Sequence, residues 1–303
     1  MSVEKGDARR AEAEAITAAS GSNLALALRV LPRGRRADMR VFYAFCRLVD
    51  DLADEPGLSF EERHAGLQAW KDALSTNSTR DHEPPLARTL REVFARHAVP
   101  LEWAADVVQG CEMDLVGTRY RTWEELRQYC YRVASAVGLV SARIFGGQDC
   151  DVYAEELGLA LQLTNILRDS AEDFSMSTRV YLPEEDLLRF GVEPGSWVKS
   201  EPPGWRALMQ FQVARARKHY AAAIASLPSS QRRVMVAAEI MRKVYVTLLD
   251  QMERDGFRVW EQAYRLSRRR KAWLAASVFT RTIVATAGQA GGPWDKLPYI
   301  ERV

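Results

Sequence analysis

Apolar side chains recur every three or four positions along almost the whole chain, and alternating β-branched runs are few, which is the spacing of helices that bury one face. The pattern predicts an all-α protein with helices over roughly residues 8–30, 35–55, 60–75, 86–97, 101–116, 122–146, 152–174, 204–226, 229–259 and 268–287. Breaks fall where turn formers gather, at "EPGLS" (55–59), "STNSTRDHEPP" (75–85), "FGGQD" (145–149) and "AGGPW" (290–294). None is long enough to link two domains, and no fixed-period repeat appears, so the expectation is a single domain over residues 1–303.

Two of these helices carry acids where apolar residues would be expected. In "VFYAFCRLVDDLADE" (41–55), Tyr43, Arg47, Asp50 and Asp54 fall at offsets 0, 4, 7 and 11, one polar stripe on a helix otherwise formed by Val41, Phe42, Phe45, Leu48, Val49 and Leu52. On this segment alone, a solvated acidic turn of Asp50, Asp51, Asp54 and Glu55 competes with a stripe facing an interior cavity. Acids at a helix C-terminus oppose the macrodipole and call for a compensating cation. In "LALQLTNILRDSAEDF" (159–174), Gln162, Asn165, Asp169 and Asp173 repeat the stripe, again with acids four apart. Two such helices in one chain point to a shared cavity. Paired carboxylates suit Mg²⁺, which takes one or two of them and leaves positions for phosphate oxygens. A diphosphate held in this way can depart and leave an allylic cation, chemistry that needs no nucleophilic residue.

Composition removes other classes. The 303 residues are 47% hydrophobic, enough for a sizeable core, and 42 basic against 40 acidic residues leave a net charge of +2, with no global attraction to nucleic acid. Cys46, Cys111, Cys130 and Cys150 form no CxxC pair, and Cys46 and Cys130 read as small apolar fillers in a reducing compartment. No phosphate loop, GxGxxG, HExxH or GxSxG motif is present, and His64, His82, His97 and His219 are scattered, as surface or loop histidines would be. The N-terminal residues lack a signal peptide's apolar run, and no segment reaches the about 20 apolar residues of a membrane span. The expectation is a cytoplasmic protein. The basic "RLSRRRKAW" (265–273) reads first as a solvated face, and peripheral contact with the inner face of the membrane is the better of its functional readings.

Four segments together, "YAFCRLVDDLADE" (43–55), "YCYRVASAVG" (129–138), "QLTNILRDSAEDF" (162–174) and "RVYLP" (179–183), resemble the squalene/phytoene synthases, the head-to-head prenyl synthases, in the family's order. Weaker similarity runs from "NLALALRVLP" (23–32) to "MRKVYVTLLDQMERDGFRVW" (241–260). The resemblance implies the isoprenoid synthase fold, with a central cavity lined by the two aspartate-bearing helices. It implies that Asp50, Asp54, Asp169 and Asp173 bind Mg²⁺ and diphosphate, that Tyr43, Arg47 and Arg168 contact diphosphate, and that Gln162 and Asn165 are polar positions beside the second motif. Tyr129 and Tyr245 match cavity tyrosines near the reacting carbons, Arg179 and Tyr181 lie in a flap, and "VASAVGLV" (133–140), with Val133 and Val137, matches a wall around the prenyl tails. Close helix packing by the small residues of that segment is an equal and compatible reading.

The implied reaction joins two allylic prenyl diphosphates and closes a cyclopropane. The motif looks most like that of bacterial members that use farnesyl diphosphate to make presqualene diphosphate, onward to squalene where NADPH is used, with phytoene or dehydrosqualene as alternatives. The absence of a nucleotide fingerprint weighs little, since squalene synthases are not known by one, and the expectation is a soluble or peripheral bacterial enzyme without the C-terminal membrane anchor of the eukaryotic members. Ser135 stands where the family often has Gly, Thr178 where a Gly precedes the Arg of "RVYLP", and Asn23-Leu24 where it has Ser-Phe. These touch the cavity wall and the flap and leave the four aspartates intact. A non-catalytic helical assembly factor with this fold is the alternative of another class, and it would be expected to have lost them.

Overall fold

The computed structural model describes residues 27–55, 57–75 and 83–287. Eleven α-helices are found among the described residues: α1 (Arg33–Asp54), α2 (Phe60–Ser75), α3 (Ala87–Arg96), α4 (Leu101–Leu115), α5 (Trp123–Cys130), α6 (Ala136–Phe145), α7 (Asp151–Ser177), α8 (Glu184–Phe190), α9 (Trp205–Ser226), α10 (Val236–Arg254) and α11 (Arg268–Ala287). The all-α expectation holds, and no strand occurs among the described residues.

Local chemistry sets the boundaries. Pro32 precedes α1 in extended backbone, where its missing N–H costs nothing. At α2, Ser59 and Glu62 form a capping box, the Glu62 amide donating to Ser59 Oγ (3.2 Å) and the Ser59 amide to the Glu62 carboxylate (2.8 Å). Gly146 closes α6 at φ +89, and a Cβ there would meet the Arg35 guanidinium at 1.8 Å, just where Arg35 donates to the Ile144 carbonyl.

Several expected elements differ. Residues 8–26 of the first predicted helix, and the turn formers at 290–294, lie outside the described residues, and 28–30 form a 3₁₀ turn. The predicted helix over 122–146 is interrupted by a π-helical turn, Tyr131–Ser135, which widens the coil by one residue. The helix expected from 229 starts at Val236 after a 3₁₀ turn, and it stops at Arg254 because Gly256 (φ +74) and Phe257 (φ +59) take left-handed backbone. Helix α8 was not anticipated, because seven residues between Pro183 and Gly191 are too few to show a period.

Helix α7 is central. It packs against α9 on one side, against the π turn and α6 on another, and against α10 beside them. Trp197 and Trp205 stack at 5.1 Å next to it, and the Trp197 indole donates to the Ser170 carbonyl of α7 (3.1 Å). A second aromatic group, Phe42, Phe45, Trp70 and Phe94, ties α1 to α2 and α3. The approach of α7 to the π turn and α6 depends on glycine. A Cβ on Gly158 would stand 2.5 Å from Ser135 Cα, and one on Gly138 would stand 2.7 Å from the Ala154 carbonyl oxygen.

Gly158→Ala is therefore expected to lower stability by about 1–3 kcal/mol through overpacking against rigid backbone. Gly34→Ala, where a Cβ meets nothing within 4 Å, should be neutral or stabilising by up to about 1 kcal/mol. Urea unfolding of the two variants checks both.

Candidate active site

A cavity of about 510 Å³ runs between α1, α4, α5, the π turn, α6, α7 and α10. Its two ends differ in chemistry. One is lined by Tyr43, Arg47 and Asp50 of α1, Asp114 of α4, Tyr129 of α5, Gln162 and Asn165 of α7, and Tyr245 of α10. The other is closed by Met39, Phe145, Tyr153 and Met235, all at most 4% exposed. Along α1, Met39 lies eleven residues before Asp50, or about 16 Å at the helical rise. The cavity is thus a dry bore with a charged mouth.

The sequence-predicted residues gather here unevenly. Tyr43, Arg47, Asp50, Tyr129, Val133, Val137, Gln162, Asn165 and Tyr245 line the cavity itself. Gly138 and Ala134 line it too, so the small-residue segment forms cavity wall and tight helix contact at once. Asp54, Arg168 and Asp169 do not line it, and Asp173 instead borders a small separate void with Arg179 and Tyr181. Helical geometry explains the difference: each stripe advances along its helix, so the acids C-terminal to Asp50 on α1 and to Asn165 on α7 stand beyond the bore.

The aspartates are neutralised by arginines. Arg47 donates to Asp50 (2.8 Å) and pairs also with Asp51, Arg168 donates twice to Asp169 (2.7 and 2.5 Å), and Arg179 donates to Asp54 (2.8 Å). Arg179 also reaches the Asp114 carbonyl (3.3 Å) and lowers the pKa of Asp173, so one guanidinium on the segment after α7 serves both motifs. Tyr245 and Asp169 both favour the charged form of Arg168 against its burial. Burial raises the pKa of Asp50, with Arg47 opposing and Asp54 and Asp51 reinforcing the rise. Asp173 is raised further, to about 7, by burial and then by Asp169.

No three His, Cys, Asp or Glu side chains among the described residues converge closely enough to enclose a metal ion. The donor set nevertheless fits Mg²⁺. It consists of hard carboxylate oxygens in pairs, which is what Mg²⁺ takes when phosphate oxygens and water supply the rest. The buried Oδ1 of Asn165 adds an acceptor with no protein partner.

Sequence reasoning missed Asp114. Its carboxylate accepts from Tyr129 (2.8 Å) and Tyr181 (2.8 Å), whose rings stack at 5.3 Å beside Tyr120. A lone acid at the end of α4 has no partner at helical spacing, so only the fold reveals it. Lys271 was also hidden, inside the basic stretch: Arg268, Arg269 and Arg270 are exposed, as a solvated face requires, whereas burial and the charges of Arg168, Arg265 and Arg268 lower the Lys271 pKa. Cys46 and Cys111 line the cavity, and burial raises both thiols far above their usual range, so Cys46 is a neutral apolar side chain as expected, but on the cavity wall. His97 lies in the turn after α3, as a loop histidine would, but is partly buried against Asp38 (2.8 Å), whereas His219 lies on α9, partly buried and paired with Glu156 of α7 (2.7 Å), contacts that no local spacing announces. His64 is exposed, and His82 lies outside the described residues.

A carboxyl whose pKa rises on folding stabilises the fold below its unfolded value, and that contribution disappears as pH climbs through the folded value. For Asp173 the window runs from about 4 to about 7. In metal-free protein, Asp173→Asn should therefore melt at a higher temperature than the parent at pH 8, with the difference shrinking as pH falls and vanishing only below about pH 4, as followed by circular dichroism.

Comparison with known proteins agrees with this architecture. The family model for squalene/phytoene synthase matches residues 17–272. A phytoene synthase of Mycobacterium bovis is 33% identical over 286 residues, covering 92% of this chain and 93% of its own. A presqualene diphosphate synthase of Rhodopseudomonas palustris is 38% identical over 244 residues, covering 79% and 86%. The crystal structure of a squalene synthase from Alicyclobacillus acidocaldarius superposes with a TM-score of 0.72 at 26% identity, covering 84% of this chain and 96% of its own. A charged mouth over a dry bore, carried by helices in this order, thus belongs to a chain that is a member of the squalene/phytoene synthase family.

Proposed function

We propose that this protein condenses two farnesyl diphosphates head to head, in the presence of Mg²⁺, to presqualene diphosphate. The observation that carries the reading is the axial distance between the polar and apolar residues that line the cavity. With carbon–carbon bonds of about 1.5 Å an isoprene repeat spans about 5 Å, so three repeats reach about 15 Å. The span from Asp50 to Met39 on α1, about 16 Å, matches that length, as does the about 15 Å from Tyr245 to Met235 on the α10 side. Four repeats, about 20 Å, would overrun Met39 and Met235.

Asp50, Asp54, Asp169 and Asp173 would hold Mg²⁺, which when bound neutralises the diphosphate and makes it a better leaving group. Arg47, Arg168 and Arg179, now tied to those carboxylates, are positioned to turn to the phosphate oxygens instead. Lys271 adds a cation on the Arg168 side. The floor excludes water that would quench an allylic cation. The ring faces of Tyr129 and Tyr245, both on the cavity, are placed to stabilise such a cation by roughly 1–2 kcal/mol each. Peripheral attachment to an anionic membrane through the exposed Arg268, Arg269 and Arg270 would suit substrates with long apolar tails; no helix among the described residues is long and apolar enough to cross a membrane.

Purified protein with Mg²⁺ and either farnesyl or geranylgeranyl diphosphate, each with and without NADPH, should yield presqualene diphosphate from the C15 substrate by mass spectrometry. Squalene appearing only with NADPH would extend the reaction by one step, and phytoene from the C20 substrate alone would overturn the assignment. Asp50→Asn should lower turnover by about 100-fold or more without lowering the melting temperature, since the carboxylate it removes is raised in pKa by burial. Turnover near the parental rate would contradict the metal role of Asp50.

A further inference from the structure

Ring closure in the proposed reaction releases a proton, and the structure offers few places for it. Among the described residues that line the cavity, the carboxylates are Asp50 and Asp114. Asp50 is engaged by the Arg47 guanidinium. The Asp114 carboxylate is held differently, by two neutral hydroxyls: Tyr129 donates to Oδ2 and Tyr181 to Oδ1, each at 2.8 Å. Arg179 touches only the Asp114 backbone carbonyl. Tyr129 is itself a cavity residue, 3% exposed, with its ring in a cluster with Tyr120 and Tyr181, 5.3 Å from each.

We infer that Asp114 accepts the proton lost on cyclopropane closure, reached through the Tyr129 hydroxyl. The inference rests on the reaction proposed above. In that step the C1–H bond of the ionised prenyl unit breaks and its electron pair forms the C1–C3 bond, quenching the cation at C3 of the second unit. The proton goes to the Tyr129 oxygen as the hydroxyl proton moves to Asp114 Oδ2, so Tyr129 ends as it began and Asp114 ends neutral. Tyr181 stays bonded to Oδ1 throughout and keeps the carboxyl plane fixed, and release of the proton to solvent resets the site.

The surroundings suit a base that works near neutrality. Burial lifts the Asp114 pKa to about 6, the hydrogen bonds from Tyr181 and Tyr129 and the charge of Arg179 pull it down, and Asp54 pushes it up. Tyr120 and Cys130 face it across the aromatic cluster, Cys111 shares its helix, and Asp173 approaches from α7. Burial raises the pKa of Tyr129 well above its ordinary value, so this ring relays a proton as a neutral phenol and does not hold a charge.

Asp114→Asn keeps the shape and one acceptor oxygen but cannot take a proton. Its kcat with farnesyl diphosphate should fall by about 100-fold or more, with KM unchanged, and deuterium at C1 should slow it further, since proton transfer has become rate-limiting. Asp114→Glu should restore part of the rate, and Tyr129→Phe, which removes no charge, should show the same isotope effect from the other end of the relay. Parental turnover in Asp114→Asn would overturn the inference. A loss that appears as raised KM without an isotope effect would overturn it too, reducing Asp114 to a structural prop. Wild-type protein that forms no cyclopropane product would remove the proposed reaction, and the relay with it.

Discussion

Everything at the mouth of the cavity follows from the need to hold several carboxylates close together over an apolar bore. Two like charges 4 Å apart repel by about 4 kcal/mol at an effective dielectric of about 20, and burial adds to that cost. The chain meets it with three arginines, Arg47, Arg168 and Arg179, each clamped on an aspartate of the two motifs. Where the compensation is least direct, at Asp173 and Asp114, the carboxyls move toward neutrality. In the proposed reaction a multivalent cation would take these carboxylates and free the arginines for the phosphate oxygens.

The scaffold serves the same constraint. Helix α7 must lie close enough to the π turn and α6 to seal the bore, yet leave its Gln162 and Asn165 face open. Gly158 and Gly138 permit the approach, and the extra residue in the π turn keeps Val133 and Ala134 on the wall. Beyond the floor, Tyr153 donates to Glu239 (2.9 Å), which is paired with Arg242, so α7 and α10 are joined by a polar lock beneath the apolar end. Rigidity at the floor and exchangeable charge at the mouth are separate properties, supplied by separate residues.

Much of this was legible in the sequence because helical period makes side-chain direction a function of number. The stripe Tyr43, Arg47, Asp50 and Asp54 and its counterpart on α7 could be placed on one face each before any coordinates, and α2 was read to the residue. What period cannot convey is height along a helix relative to a neighbour, which is why Asp54 and Asp169 fall at the rim and Asp173 beside its own void. Asp114 escaped for a related reason: its partners Tyr129 and Tyr181 lie 15 and 67 positions away and meet it only through the fold. The pairings of His97 with Asp38 and His219 with Glu156 are equally non-local. Helix α8 and the left-handed residues that end α10 were hidden by brevity and by backbone choices that side-chain pattern does not encode.

The central claim is that the mouth carboxylates are a metal-dependent diphosphate site and not a solvated acidic rim. Thermal denaturation with a non-hydrolysable farnesyl diphosphate analogue, Mg²⁺, both or neither, tests it most directly, since a ligand that binds only the native state raises its melting temperature. The account predicts a large rise with both together and little with either alone. An equal rise from the analogue with the metal chelated would contradict it.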